Sequence, residues 1–175
     1  MTDDPILRET RPWDLPEILG LYPEVFPDED LVPLVRDLMT GDRDVLSLAV
    51  FDGNAPAGHV LFTVFGTPEK EGVAALLGPL GVSPRFQRMG LGSALVRAGF
   101  DRLRDCGVER ILVLGDPAFY GRFGFAPERR ATPPFPIPDA WSEAWQSAPL
   151  VPDAITPVGP VRLPEPWMRP ALWTP

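Results

Sequence analysis

Twelve of the chain's 24 prolines fall in its last 45 residues. Proline has no backbone N–H and a fixed φ, so it interrupts helices and sheet ladders alike. Residues 131–175 therefore hold no long regular element, and one short helix over 138–146, burying Trp141 and Trp145, is the most they accommodate. Yet this stretch is not a solvated linker. It carries Trp141, Trp145, Trp167 and Trp173 together with Phe135, Ile137 and Ile155. Proline loses little unfolded-state entropy on ordering, so an extended Pro-rich segment can pack over a core at low cost. The expected organisation is one domain of 175 residues, with a core over 1–130 and an extension over 131–175 packed on it.

Composition narrows the function classes. The longest nearly apolar run, Val73–Val82, is about half of what a bilayer needs, and Gly78 and Pro79 interrupt it. The start, Met1-Thr2-Asp3-Asp4-Pro5, is acidic where a secretion signal would be basic, so the expected location is the cytoplasm. A single cysteine, Cys106, excludes an internal disulfide framework and a cysteine-based zinc site, and the lone His59 argues against a His-rich metal site. Fifteen arginines against one lysine fit the codon bias of a GC-rich genome. The net charge of −8 argues against general nucleic-acid binding. Its distribution is uneven: residues 1–44 carry −8 and residues 83–130 carry +4. Ordinary surface charge accounts for this, and so does an anionic ligand held by the middle with a cationic one facing the front.

The periodicities give an alternating order of elements. Ile6–Glu9 reads as a strand, and Thr10 as the N-cap of a helix that Pro23 and Pro27 end. Asp28-Glu29-Asp30 starts a second helix running to about Met39, with Leu31, Leu34, Val35 and Leu38 on one face. Ser47–Phe51 and Ala57–Phe65 flank Asp52-Gly53-Asn54, a hairpin signal. Ala74–Val82 is a third strand, made irregular by Pro79 and Gly81. Gly90–Cys106 is a helix with an apolar stripe of Leu91, Ala94, Leu95, Ala98 and Leu103, closed by Gly107. Ile111–Leu114 is a buried strand, followed by a short helix over Ala118–Arg122 and a strand near Phe125.

The segment that carries chemistry is Leu80-Gly81-Val82-Ser83-Pro84-Arg85-Phe86-Gln87-Arg88-Met89-Gly90-Leu91-Gly92-Ser93. A strand ends, a basic loop follows, two glycines come one residue apart, and a helix begins. A helix N-terminus offers backbone N–H groups with no internal partner, and its dipole favours an anion. Glycine lets a phosphate approach the backbone closely. The unit therefore reads as a phosphate cradle, with Arg85 and Arg88 adding charge-assisted bonds. No Walker lysine follows the glycines, and the third glycine of a dinucleotide fingerprint is replaced by Leu95. A Gly-x-Gly also serves as a plain helix start.

Gln87-Arg88-Met89-Gly90-Leu91-Gly92 resembles the Gln/Arg-x-x-Gly-x-Gly/Ala acetyl-CoA signature of the GCN5-related N-acetyltransferases (GNAT). Phe119-Tyr120-Gly121-Arg122-Phe123-Gly124-Phe125 is similar to that family's Phe-Tyr-x-x-x-Gly-Phe element, and the element order matches over about residues 5–130. Val113-Leu114-Gly115-Asp116-Pro117 with Pro134-Phe135-Pro136-Ile137-Pro138 further resembles the YhbS-like predicted bacterial acetyltransferases. The resemblance implies an α/β fold: a mixed, mostly antiparallel sheet with helices on both faces, whose fourth and fifth strands splay into a cleft. It implies acetyl-CoA as co-substrate, with no metal, and frequent homodimers; no nucleic acid or membrane partner is implied.

On that resemblance, the backbone of Leu80 and Val82 pairs with the pantetheine. Gln87, Arg88, Met89, Gly90, Leu91, Gly92 and Ser93 hold the pyrophosphate. Tyr120 touches the cofactor and is the general acid for the departing thiolate, and the Val82 N–H stabilises the oxyanion. The base is open. His59 lies in an apolar strand and reads as structural, whereas Glu24, Asp28, Glu29 and Asp30 lie on the acceptor side, as a solvated helix start or as ligands of a cationic amine. The implied activity is direct acetyl transfer to an amine of a small molecule or protein. Alternatives are a longer acyl donor, a hydroxyl acceptor, or a degenerate acyl-CoA-binding or regulatory domain without turnover. The extension 131–175 is expected to narrow the acceptor side of the cleft.

Overall fold

The computed structural model describes residues 4–175; Met1–Asp3, part of the acidic start, lie outside the described residues. The chain forms β1 (Ile6–Glu9), α1 (Leu15–Val25), α2 (Val32–Thr40), β2 (Val45–Asp52), β3 (Ala55–Phe65), β4 (Ala74–Val82), α3 (Leu91–Asp105), β5 (Arg110–Leu114), α4 (Pro117–Tyr120), β6 (Ala126–Pro127), β7 (Ala131–Thr132), β8 (Trp145–Pro149) and β9 (Gly159–Pro160). Seven strands make one sheet in the order β1-β2-β3-β4-β5-β8-β6, and β7 and β9 form a separate parallel pair. The large sheet is mostly antiparallel. Its parallel pair, β4 with β5, runs only from Ala74↔Arg110 to Leu77↔Val113. Beyond Leu77 the strand enters Gly78, at φ 146°, and Pro79, which has no N–H to donate. The β4–β5 pairing thus stops where the sequence predicted an irregular strand, as in the splay that the resemblance implies. No helix among the described residues is long and apolar enough to cross a membrane.

The chain divides into two compact units: residues up to Phe62 with Gly78–Gly99, and Thr63–Leu77 with Phe100–Pro175. In the first unit, Leu34, Val35 and Leu38 bury one face of α2 as their spacing predicts. Within the same unit Leu95, Val96 and Gly99 form the buried face of α3, whereas Ala94, predicted to be buried, is exposed. Gly99 takes its place because the Phe62 ring fills the room; a Cβ there would lie 2.2 Å from the ring. Replacing Gly99 with Ala is expected to cost about 1–3 kcal/mol through overpacking, although alanine is the better helix former. Urea unfolding of the two proteins measures it.

Three local expectations are corrected. Thr10 is not a helix cap: its hydroxyl donates to Ser47 Oγ at 2.7 Å, and Asp14 Oδ2 accepts from the Arg11 N–H instead. That leads into a 3-10 turn at Pro12–Asp14, with α1 beginning at Leu15. Pro23 does not end α1, which continues to Val25; it sits in the last turn, where few following residues depend on its geometry. Asp28–Asp30 form a turn ahead of α2, which starts at Val32.

The second unit contains the Pro-rich segment. The short helix expected over 138–146 is replaced by a 3-10 turn at Asp139–Trp141 and the strand β8. β8 pairs antiparallel with β5 from Arg110↔Pro149 to Leu114↔Trp145 and also with β6. Four consecutive buried residues, Trp145–Ala148, gave no alternation by which to read a strand. Prolines remove backbone donors but leave carbonyls, so side chains supply the missing donors. Arg110 donates to the Ile155 and Ala154 carbonyls at 3.0 and 3.3 Å. Trp145 Nε1 donates to Ala131 O, Trp173 Nε1 to Trp167 O, and Trp167 Nε1 to Thr63 Oγ1.

Glu128 is buried within this unit, accepting from the Ser147 hydroxyl at 2.7 Å and from the Arg130 and Ala131 N–H groups at 2.6 and 3.1 Å. Burial pushes its pKa up, but the bonds from Ser147, Arg130 and Ala131 outweigh it and hold the carboxyl below its ordinary value. A depressed folded-state pKa gives stability that is present above the unfolded value, about 4.3, and lost as pH falls through the folded one. Glu128→Gln is expected to flatten the fall in urea midpoint between about pH 5 and pH 3.

Candidate active site

β4 ends at Val82, and the loop to α3 is built in the first unit by short-range bonds. The Ser83 N–H donates to the Ala57 carbonyl at 2.9 Å and the Phe86 N–H to the Ser83 carbonyl at 2.8 Å, closing a 3-10 turn at Pro84–Phe86. Gln87 does not face the helix end. Its Nε2 donates to the Val82 carbonyl at 3.1 Å and ties the loop back to the strand. Arg88 and Gly90 then adopt positive φ, 63° and 83°. That geometry is readily available to glycine and unusual for arginine.

α3 begins directly after, with its first internal bond from the Ala94 N–H to the Gly90 carbonyl. The N–H groups of Leu91, Gly92 and Ser93 thus precede the first intrahelical bond and are the helix's open donors. Arg85, Arg88 and Met89 are exposed beside them. At Gly90 a Cβ would meet nothing within 4 Å, so its φ, not lack of space, demands glycine. The donors, the dipole and the two guanidiniums fit a pyrophosphate.

The same unit places Glu24 beside the end of β4. Ser83 is buried, and its hydroxyl donates to Glu24 Oε1 at 2.8 Å. α1 packs closely over Gly81, where a Cβ would stand 3.3 Å from Phe26 and 3.4 Å from Val25. Leu80 and Val82 are half-buried. Asp28, Glu29 and Asp30 are all exposed in the turn after α1 and share no bond with Glu24. The Ser83–Glu24 bond was not legible in the sequence, where 59 positions separate its partners.

Tyr120 belongs to the second unit. Asp116 caps α4, its Oδ1 accepting from the Ala118 N–H at 2.9 Å. The Tyr120 ring packs edge-on to Phe119 and Phe125, at centroid distances of 4.9 and 5.5 Å. The ring also packs against Gly115, where a Cβ would be 2.3 Å from it. Gly115 is fixed in turn by bonds to the Ala144 carbonyl and from Gln146 Nε2, both 3.0 Å. Burial raises the Tyr120 pKa well above the ordinary phenol value. Gly115 is the residue that sequence reasoning missed here; its place between strand and Asp116 signalled only a turn. His59 is buried between Tyr22 and Ser47, which agrees with its structural reading. Among the described residues no group of three or more His, Cys, Asp or Glu is arranged to hold a metal ion.

The acetyltransferase (GNAT) family model matches residues 10–125. The chain is 35% identical over 141 residues to the uncharacterized N-acetyltransferase YjhQ of Escherichia coli K12, covering 76% of this chain and 77% of that protein. It is 31% identical over 121 residues to the uncharacterized N-acetyltransferase YhbS of the same strain, covering 69% of this chain and 72% of that one. The crystal structure of Escherichia coli YhbS in complex with CoA superposes with a TM-score of 0.84 at 29% identity, covering 97% of this chain and 96% of that chain. A GNAT family acetyltransferase from Brucella melitensis in complex with acetyl-CoA superposes with a TM-score of 0.71 at 25% identity, covering 88% and 92%. The family model over residues 10–125 and relatives of this identity and coverage show that the chain belongs to the GNAT family of acetyltransferases.

Proposed function

We propose that the protein is an acetyl-CoA-dependent N-acetyltransferase acting on a cationic amine. The observation that carries this reading is the junction from Gln87 to Ser93, with its open N–H donors and positive-φ Gly90. Related proteins hold CoA and acetyl-CoA in their crystal structures, which supports the same co-substrate here. In this reading Leu91, Gly92 and Ser93 bind the pyrophosphate through their N–H groups, aided by Arg88 and by the loop through Met89. Leu80 and Val82 pair with the pantetheine by strand addition.

The chemistry is acyl transfer. The acceptor ammonium gives a proton to Glu24, directly or through water, and the neutral amine attacks the thioester carbonyl. The Val82 N–H stabilises the oxyanion. The C–S bond breaks, the thiolate takes a proton from Tyr120, and the phenolate recovers one from the attacking nitrogen, leaving an amide and free CoA. Asp28, Glu29 and Asp30 attract the cationic acceptor.

Release of free thiol from acetyl-CoA across a panel of primary amines tests this. Amine-dependent release supports it. Tight CoA binding without release from any amine supports instead a binding or regulatory domain, which the exposed acidic turn does not otherwise explain.

A further inference from the structure

Four polar side chains of the first unit form a buried row that acyl transfer does not use. Tyr22 Oη lies 2.7 Å from His59 Nδ1, His59 Nε2 lies 2.8 Å from Ser47 Oγ, and Thr10 Oγ1 lies 2.7 Å from Ser47 Oγ. Tyr22 and His59 are sealed from solvent, at 1% and 0% exposure. Burial lowers the His59 pKa to about 3, so the ring is neutral and carries one N–H. Burial also raises Tyr22, which keeps its proton.

The row therefore holds four polar hydrogens, one on each residue. Its three hydrogen bonds use three of them, so one is surplus. At the Tyr22 end it would be a buried O–H without an acceptor, which is costly. Tyr22 therefore donates to Nδ1, and the Nε2–H donates to Ser47. The surplus O–H emerges at the far end, on Ser47 when Thr10 donates to it and on Thr10 when the roles exchange.

Both hydroxyl residues line a cavity of about 490 Å³ between the β1–α1 connection and the end of α2. Leu15, Leu38 and Val45 give it apolar walls, and Arg11, Arg43 and Glu9 line it as well, with the Arg11 guanidinium 5.5 Å from the Trp13 ring. Arg43 is held in place: it donates to the Asp37 carbonyl at 2.9 Å while passing over Gly41, where a Cβ would lie 1.7 Å from it. Two forked cations and a spare hydroxyl proton around an apolar chamber match a carboxylate on a short apolar body.

We propose that this cavity binds a small apolar monocarboxylate through Arg11, Arg43 and the surplus hydroxyl proton of the Ser47–Thr10 pair. The site lies wholly within the first unit and does not depend on the acetyl-transfer reading.

The test exploits the chain's single histidine. The full-length protein, with ¹⁵N-labelled histidine and backbone, is titrated with 4-methylpentanoate and followed by NMR. The expected result is a saturable shift of the His59 Nε2 resonance and of the Gly41 amide, with a dissociation constant of about 1 mM or tighter. The alcohol 4-methylpentan-1-ol, which lacks the charge, and acetate, which lacks the body, are expected to bind at least about tenfold more weakly. Arg43→Gln is expected to lose about tenfold in affinity, and Arg11→Gln carries the same test should the former disturb the end of α2. In Ser47→Ala the Gly41 amide still responds while His59 falls silent. No saturable shift at about 10 mM, an equal response to the alcohol, or both arginine variants binding at wild-type affinity overturns the proposal.

Discussion

Tyr120→Phe is expected to lower kcat by about 10²- to 10⁴-fold, the usual contribution of a positioned proton donor, with acetyl-CoA affinity unchanged. The phenyl ring keeps every contact that places it, the edges of Phe119 and Phe125 and the bare backbone of Gly115. Only the hydroxyl is removed, so thermal stability should not move and serves as the control. Burial holds the wild-type phenol above its ordinary pKa of about 10. A raised pKa means that the proton is retained as pH rises. The wild-type kcat profile should therefore show no descending limb from Tyr120 below about pH 10. A mutant with wild-type kcat refutes the assignment, and so does a descending limb near neutral pH that the mutation removes.

The second large effect is expected from Gly92→Glu. Gly92 follows Leu91 at the start of α3, among the N–H groups that precede the first helical bond. An acidic side chain in a first turn interacts favourably with the helix dipole, so the variant should fold as well as the parent. Its carboxylate occupies the space and competes for the donors assigned to the pyrophosphate. Two like charges at 4 Å repel by about 4 kcal/mol at an effective dielectric of 20, or about 10³-fold in affinity. Isothermal titration with CoA measures the loss. Wild-type affinity in a folded Gly92→Glu protein would remove the pyrophosphate from this loop.

The two experiments separate the parts of the reading. Loss of CoA binding in Gly92→Glu with retained turnover at saturating acetyl-CoA leaves Tyr120 untouched. Loss of turnover in Tyr120→Phe with intact CoA binding leaves the loop untouched. A protein that binds CoA and turns over no amine, in either form, is a binding domain.

Much of the frame was legible because its signals are local. The strand Ala74–Val82 and the glycine stop of α3 at Gly107 follow from residues read within one window. The stripe of α2 is fixed by a 3.6-residue period, which the burial of Leu34, Val35 and Leu38 repeats. The strand–loop–helix junction was legible too, with Gly90 at positive φ directly ahead of α3. The strand β8 was hidden because both its faces are covered, so Trp145–Ala148 carries no period of two. Tertiary pairing with β5 overrides the helical reading.

What the sequence alone determined is therefore the order of strands and helices from β1 to α4, apart from the exact starts of α1 and α2, together with the irregular end of β4 and the family to which the loop–helix signature points. What only the tertiary structure decided are the contacts between positions far apart in the chain. Ser83 meets Glu24, Gly115 makes room for Tyr120, Gly99 admits Phe62, and His59 joins Tyr22 to Ser47. The division has a physical cause. Backbone geometry is set by steric and hydrogen-bonding preferences of neighbouring residues, whereas side-chain partners depend on which surfaces the packed elements bring together. The Pro-rich segment shows both: its composition forbade long regular elements, and the donors of Arg110 and Trp173 decided where its carbonyls are held.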